Sequence, residues 1–137
     1  MVMKQEEKNL LLRDLLARLP YGVKVLYENK VFSIDYISAI YEEIKLDIPD
    51  NYTINISDIK PYFFPLSSMT EEQEDEWYRL YIQPMFDRLN VKDKKEDLML
   101  QAKSLQVGVD YLIANHFDYR GLIPMGLAQD ATGLNIY

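Results

Sequence analysis

The change of apolar spacing around two prolines, Pro61 and Pro65, is the feature that most limits how this chain can fold. Before Pro61 apolar residues alternate with polar ones, as in β-strands, whereas after Thr70 they recur every three or four residues, as in helices. Because proline cannot donate a hydrogen bond to a sheet ladder, the sheet should end near Lys60. The sequence therefore predicts an α+β fold in which residues 61–69 join a sheet to helices.

The part before this junction predicts one helix and an antiparallel sheet. An N-terminal helix within residues 1–20 is expected, with an apolar stripe of Leu12, Leu15, Leu16 and Leu19 that Leu11 widens. Residues 21–60 then alternate with period two, and short turns are expected at Glu28-Asn29 and at Pro49-Asp50-Asn51. This pattern predicts a four-stranded antiparallel meander. The meander could curl into a small barrel of the SH3 type or stay flat under the helices.

The part after the junction, residues 70–115, predicts two helices. Thr70 and Gln73 match the capping box that starts a helix. Pro84 falls inside the first helical pattern, so that helix should kink or split near Gln83. The second helix carries one apolar stripe, made of Leu98, Ala102, Leu105, Val109 and Leu112. Residues 116–137 are too apolar for a disordered tail and should pack on the fold.

Length and composition narrow the class of protein. A chain of 137 residues predicts a single domain spanning residues 1–137, and it can bury a core without cross-links. Cysteine is absent, which excludes disulfides and thiol nucleophiles. The first residues lack the apolar segment of a signal peptide, and no apolar run approaches the roughly 20 residues that span a bilayer. We expect a cytoplasmic protein without a membrane partner.

The negative charge is concentrated in the middle of the chain. Residues 41–78 contain two Lys/Arg and ten Asp/Glu, a net charge of −8, whereas residues 1–40 have a net charge of +1 and residues 79–137 are neutral. Nucleic-acid binding depends on basic residues that displace counterions, so this distribution argues against a nucleic-acid partner. It is compatible with a local acidic face that meets a basic protein.

The sequence offers one weak catalytic arrangement. His116 is the only histidine, and Asp118 could orient its ring as a general base while Arg120 lies nearby in the sequence. A histidine after a helix is more often a polar cap. Acidic residues at positions 71–76 could attract a hard cation, but the helix dipole alone accounts for acidic residues in a first turn. We predict no metal site and no cofactor, and we lean towards a protein without enzymatic activity.

Three stretches of the chain resemble a known group of proteins. They are Leu10–Val25, Asp58–Gln73 and His116–Tyr137, and the Asp-Tyr-Arg-Gly-Leu-Ile-Pro run in the last of them is the most distinctive. Together they are similar to short, uncharacterised proteins of gut Bacteroides-type bacteria and their prophage-like elements. The resemblance implies a bacterial or phage accessory protein, and it transfers no functional residue.

Three functional hypotheses lead at this stage, and direct nucleic-acid binding ranks fourth behind them. The first is a non-enzymatic protein-interaction module, with contact surfaces at two places. The second is an acidic inhibitor that mimics nucleic acid on a basic partner. The third is a hydrolase or nuclease that uses His116. The contact residues expected under the first hypothesis come from the aromatic cluster and the acidic helix start: Tyr62, Phe63, Phe64, Glu71, Glu72 and Glu74.

Overall fold

The computed structural model describes residues 3–49 and 52–137. The turn expected at Pro49-Asp50-Asn51 includes Asp50 and Asn51, which lie outside the described residues. The helices are α1 (Gln5–Arg18), α2 (Glu71–Asp87) and α3 (Lys94–Ala114). The strands are β1 (Lys24–Tyr27), β2 (Lys30–Ser38), β3 (Glu43–Leu46), β4 (Ile54–Asn55), β5 (Lys60–Phe63) and β6 (Gln129–Asp130). The fold is α+β, as predicted, with an N-terminal helix and two further helices.

The strands form one mixed sheet in the order β4-β3-β2-β1-β5-β6. The first four strands pair with their sequence neighbours in antiparallel fashion, and β5 adds to the free side of β1, also antiparallel. The last strand, β6, runs parallel to β5. Glu28 and Asn29 both have positive φ in the turn between β1 and β2, which is the geometry of a tight hairpin turn.

The sheet has more strands than the sequence predicts, and it is open. Four strands were too few, because β5 and β6 extend the sheet to six strands. Strands β4 and β6 end the sheet on opposite sides and do not pair, so the described residues form an open sheet and not a closed SH3-like barrel. Pro61 lies inside β5, opposite Val25 of β1, whereas pairing with β6 begins only at Tyr62. Proline is tolerated there because only one neighbouring strand is paired at that position.

Helix α1 covers the sheet. Its buried face is shifted by about one residue toward the N-terminus relative to the predicted stripe. Leu11, Asp14, Leu15 and Arg18 are its buried residues, whereas Leu16 is 42% exposed. This face packs on sheet residues that are also almost inaccessible, among them Val25, Ile44, Leu46 and Phe63. The tail contributes to the same core, as predicted: Leu122 and Leu127 are buried. We call α1, the sheet and the tail the body.

Helices α2 and α3 form an antiparallel pair, which we call the hairpin. The capping box at its start is confirmed: the Gln73 backbone N–H donates to Thr70 Oγ1 at 3.1 Å, and Gln73 Oε1 accepts from the Thr70 N–H at 3.0 Å. Pro84 is buried inside α2, and the helix continues through it to Asp87. The predicted split at Gln83 is therefore absent. None of the helices in the described residues is long and apolar enough to cross a bilayer.

Candidate functional site

A buried ion pair links α1 to the tail. Arg18 Nε donates to Asp14 Oδ2 at 2.7 Å, and both side chains are almost inaccessible to solvent. Arg18 also donates to the Phe117 carbonyl at 2.6 Å and lies 3.8 Å from the centroid of the Phe63 ring. Arg120 adds a second cation, with Nε 3.1 Å from Asp14 Oδ1. The pair therefore holds the helix, the sheet and the tail together.

The electrostatics of this pair fit a structural role. Burial raises the pKa of Asp14, and the charges of Arg18 and Arg120 act in the opposite direction. One guanidinium nitrogen of Arg18, Nη1, has no hydrogen-bond partner among the described residues. The pair was missed in the sequence analysis because the face of α1 was predicted from the apolar stripe alone. The usable signal was their four-residue separation, which places a carboxylate and a guanidinium on one helix face beside Leu11 and Leu15.

The structure does not bring His116, Asp118 and Arg120 together as a catalytic group. The Asp118 carboxylate accepts hydrogen bonds from the backbone N–H groups of Leu122 and Ile123, at 2.8 and 2.9 Å. The His116 ring stacks on the Tyr137 ring at 3.6 Å between centroids, and Arg120 is bound to Asp14. Asp118 thus stabilises a turn and does not orient the imidazole, so these residues carry no catalytic proposal.

His116 lies where the hairpin leaves the body. Its backbone adopts a positive φ of 64°, and its carbonyl accepts from the Phe64 N–H at 2.8 Å. Burial, and secondly the charge of Arg18, lower the pKa of His116 to about 4, so the ring is neutral at pH 7. The ring borders a groove of about 490 Å³ with Tyr137. The Tyr137 hydroxyl donates to the Tyr62 carbonyl at 2.7 Å.

The expected contact residues divide into buried and exposed ones. Tyr62 is 7% exposed and Phe63 is inaccessible, so they belong to the core, while Phe64 is partly buried and packs near Phe117 and Tyr137. These aromatic residues offer little surface to a partner. The acidic residues lie instead on the exposed first turns of α2: Glu71, Glu72 and Glu74.

The hairpin is held together by a small number of specific contacts. Trp77 Nε1 donates to the Gly108 carbonyl at 3.1 Å, and a Cβ atom at position 108 would lie only 3.2 Å from that nitrogen. At the other end Arg88 binds the Asp97 carboxylate through two nitrogens, at 2.6 and 3.1 Å. The hydrogen bond from Arg88 lowers the pKa of Asp97. The two helices therefore contact through an aromatic ring, a glycine and an ion pair.

Several large apolar residues of the hairpin lie together on one side of the helix pair. Tyr78 and Leu112 border one groove, and Met85 and Leu105 border another. Tyr78 and Met85 are seven residues apart, as are Leu105 and Leu112, so both grooves open on the same side of the helix pair. We call the surface on this side the apolar side. It comprises Tyr78, Ile82 and Met85 of α2, and Leu98, Ala102, Leu105, Val109 and Leu112 of α3.

Much of the apolar side is open to solvent. Tyr78 is 57% exposed, Leu98 66% and Leu105 60%. We call the end of the hairpin that joins the body its base, and the end between α2 and α3 its tip. The groove at the base has a volume of about 500 Å³, and Glu74 and Asp75 border it. The predicted apolar stripe of α3 is thus real, but the body does not cover its first half. The apolar spacing in the sequence predicted the stripe, but it did not predict whether the rest of the chain covers it.

Comparison with known proteins gives no relative. No protein-family model matches the chain, and no characterised protein and no solved structure is similar to it. The geometry of the chain therefore carries the functional argument. Among the described residues, no group of three or more His, Asp or Glu side chains is arranged to hold a metal ion.

Proposed function

We propose that this chain is a non-enzymatic protein-interaction module, an accessory protein of a bacterium or phage, and that the apolar side of the hairpin is its binding surface. One observation carries the proposal: Tyr78, Leu98 and Leu105 lie on one side of a helix pair and are each more than half exposed. Contiguous apolar patches of this kind usually mark an interaction site on a soluble chain.

The apolar side fits a helical partner better than a small molecule. On α3 the apolar residues are spaced four, three, four and three residues apart, from Leu98 to Leu112. On α2 the residues Tyr78, Ile82 and Met85 follow the same alternation. Apolar residues that recur every 3.5 residues form the narrow seam along which helices pack. We infer that the partner supplies one or more helices that lie along the hairpin.

A photo-crosslinking amino acid in place of Leu105 tests this proposal in cells of the organism that carries the gene. Illumination should join the chain covalently to another polypeptide, because position 105 would lie in the interface. The matched control carries the same crosslinker in place of Met99, which is 70% exposed on the opposite side of α3. If position 105 crosslinks to polypeptide no more than position 99 does, the proposed function is rejected.

A second candidate function is an acidic inhibitor of a basic protein. Glu71, Glu72 and Glu74 lie on the exposed start of α2, and in the described part of the chain they form no ion pair. Binding through them should weaken as salt rises. Replacing the three residues with glutamine should then abolish binding to the basic partner, whereas salt-independent binding would eliminate this candidate.

A further inference from the structure

The hairpin carries two separate packing seams on each helix. The inner seam joins the two helices through Trp77, Pro84 and Arg88 of α2 and through Ser104 and Gly108 of α3. The outer seam is the apolar side. At 3.6 residues per turn the two seams are about 100° apart on each helix. In a four-helix bundle each helix packs on two neighbours, and the two faces that it uses are about 90° apart around its axis. This hairpin therefore has the form of half a bundle.

We propose that the other half is a second copy of this chain. Two copies would pack their apolar sides together, antiparallel, about a two-fold axis that passes near Met85 and Leu105. This inference rests on the proposed function, because it names the partner of the same surface. A two-fold interface requires a surface that is complementary to itself.

The charges at the two ends of the apolar side supply this self-complementarity. At the base, Glu74 and Asp75 border the groove beside Tyr78. At the tip, Lys94 and Lys95 are exposed and precede Leu98 by four and three residues, so they lie on the same helix face.

Among the acidic residues near the tip, Asp93 caps α3 by accepting from the Lys95 backbone N–H, and the others lie away from Lys94 and Lys95. Asp87 and Glu96 border a groove on the opposite side, together with Met99. Asp97 is neutralised by Arg88. An antiparallel two-fold arrangement therefore places the acidic base of each copy against the basic tip of the other.

The exposed area is compatible with a stable dimer. Tyr78, Leu98 and Leu105 are 57–66% exposed. An aromatic side chain offers roughly 150–250 Å² of surface, so Tyr78 alone, at 57% exposure, offers about 100 Å². A polar rim and the half-buried residues between these three side chains would supply the remainder of the roughly 800 Å² per partner that a standard interface covers.

Sedimentation equilibrium of the purified full chain tests the proposal. We expect a species of twice the chain mass of 16.2 kDa at micromolar concentration. The double variant Leu98→Asp/Leu105→Asp should raise the dimer dissociation constant at least about 100-fold, because it buries carboxylates in the apolar seam. The matched control Met99→Asp, at an equally exposed position on the opposite side, should remain dimeric. Circular dichroism checks that each variant keeps its helices.

Charge reversal tests the antiparallel orientation. Lys94→Glu/Lys95→Glu and, separately, Glu74→Lys/Asp75→Lys should each weaken the dimer about 10-fold or more at low salt, and the chain with all four changes should recover it. The proposal is overturned if the wild-type chain stays monomeric at about 100 μM. This concentration exceeds the dissociation constant expected of a standard interface. A dimer that the Leu98→Asp/Leu105→Asp variant retains overturns the proposal as well.

The crosslinking experiment separates this inference from the proposed function. If position 105 crosslinks only to a different protein, the second copy is the wrong partner and the interaction module stands. If it crosslinks to nothing, both fail. A crosslinked product of twice the chain mass, in which mass spectrometry finds peptides of this chain alone on both sides of the link, supports both.

Discussion

The body and the hairpin use apolar residues in opposite ways. In the body, Leu11, Leu15 and Phe63 are inaccessible to solvent, and even a charged pair is enclosed between helix and sheet. In the hairpin, the buried residues of the two long helices are only Pro84, Ser104, Gly108 and Ile113. The hairpin nevertheless contains large apolar residues that are more than half exposed, such as Tyr78, Leu98 and Leu105. The body encloses its large apolar residues, whereas the hairpin leaves several of its own exposed.

The difference also shows in how each region treats its charges. The body removes Asp14 and Arg18 from water and pairs them with each other, with the Phe117 carbonyl and with Arg120 of the tail. The hairpin keeps its ion pair, Arg88 with Asp97, about one third exposed. A buried pair is costly to disturb, because the remaining charge has lost its water, while an exposed one is not. The two regions should therefore respond very differently to the same kind of substitution.

The largest effect is expected from Asp14→Ala. It leaves Arg18 as an uncompensated charge inside the body and should lower the free energy of unfolding by about 3–5 kcal/mol in urea denaturation. The matched change in the hairpin, Asp97→Ala, removes an exposed partner and should cost much less. Equal losses for the two variants would contradict the contrast between body and hairpin.

A second pair of variants compares leucines. Leu15→Ala empties an inaccessible site in the body and should cost about 2–5 kcal/mol. Leu105→Ala, at a position that is 60% exposed, should change the stability of the dilute chain by no more than about 0.5 kcal/mol. Denaturation at several protein concentrations sharpens the comparison, because a cost for Leu105→Ala that grows with concentration would place the residue in a dimer. A large cost at every dilution would instead mean that the hairpin packs on the body.

The elements that rest on local chemistry were predictable from the sequence. The capping box at Thr70 is present because its two hydrogen bonds lie within one turn, and the β1–β2 turn follows from the tolerance of Asn29 for positive φ. Strand β5 was missed because Pro61 suggests an end to the sheet, although its missing donor matters only where a second strand pairs. Strand β6 was missed because two residues carry no periodicity.

The candidate site was harder to predict for a related reason. The period of an apolar stripe tells which residues share a helix face, and this was correct for Leu98, Leu105 and Leu112. It does not tell whether the rest of the chain reaches that face. The stripe of α1 shows the same limit, because a buried Asp14 and Arg18 shift the covered face away from Leu16. Coverage depends on tertiary contacts that no local pattern encodes.

The smallest expected effect is a difference between body and hairpin in how the free energy of unfolding depends on pH. His116 has a pKa of about 4 in the folded chain, below its ordinary value of 6.5, because burial disfavours the charged ring. Between pH 6.5 and 4 the unfolded chain therefore binds a proton that the folded chain does not, so stability falls as the pH falls through this window. The ring is partly exposed, so we expect a loss of about 1–2 kcal/mol. Below pH 4 both states are protonated and the loss stops growing.

The hairpin should respond in a different window. The pKa of Asp97 is held below its usual 3.8 by the hydrogen bond from Arg88, so its contribution to stability is complete above pH 3.8 and is lost as the pH falls through the lower folded value.

The variant His116→Asn tests the contribution of the body. It removes the titrating ring, and asparagine tolerates the positive φ at this position. Urea denaturation of the wild-type chain and of the His116→Asn variant at pH 7.5 and 4.5 isolates the contribution of His116, since the two share every other titrating group. If both chains lose the same stability between these values, the His116 ring does not resist protonation, and acid sensitivity does not distinguish the body from the hairpin.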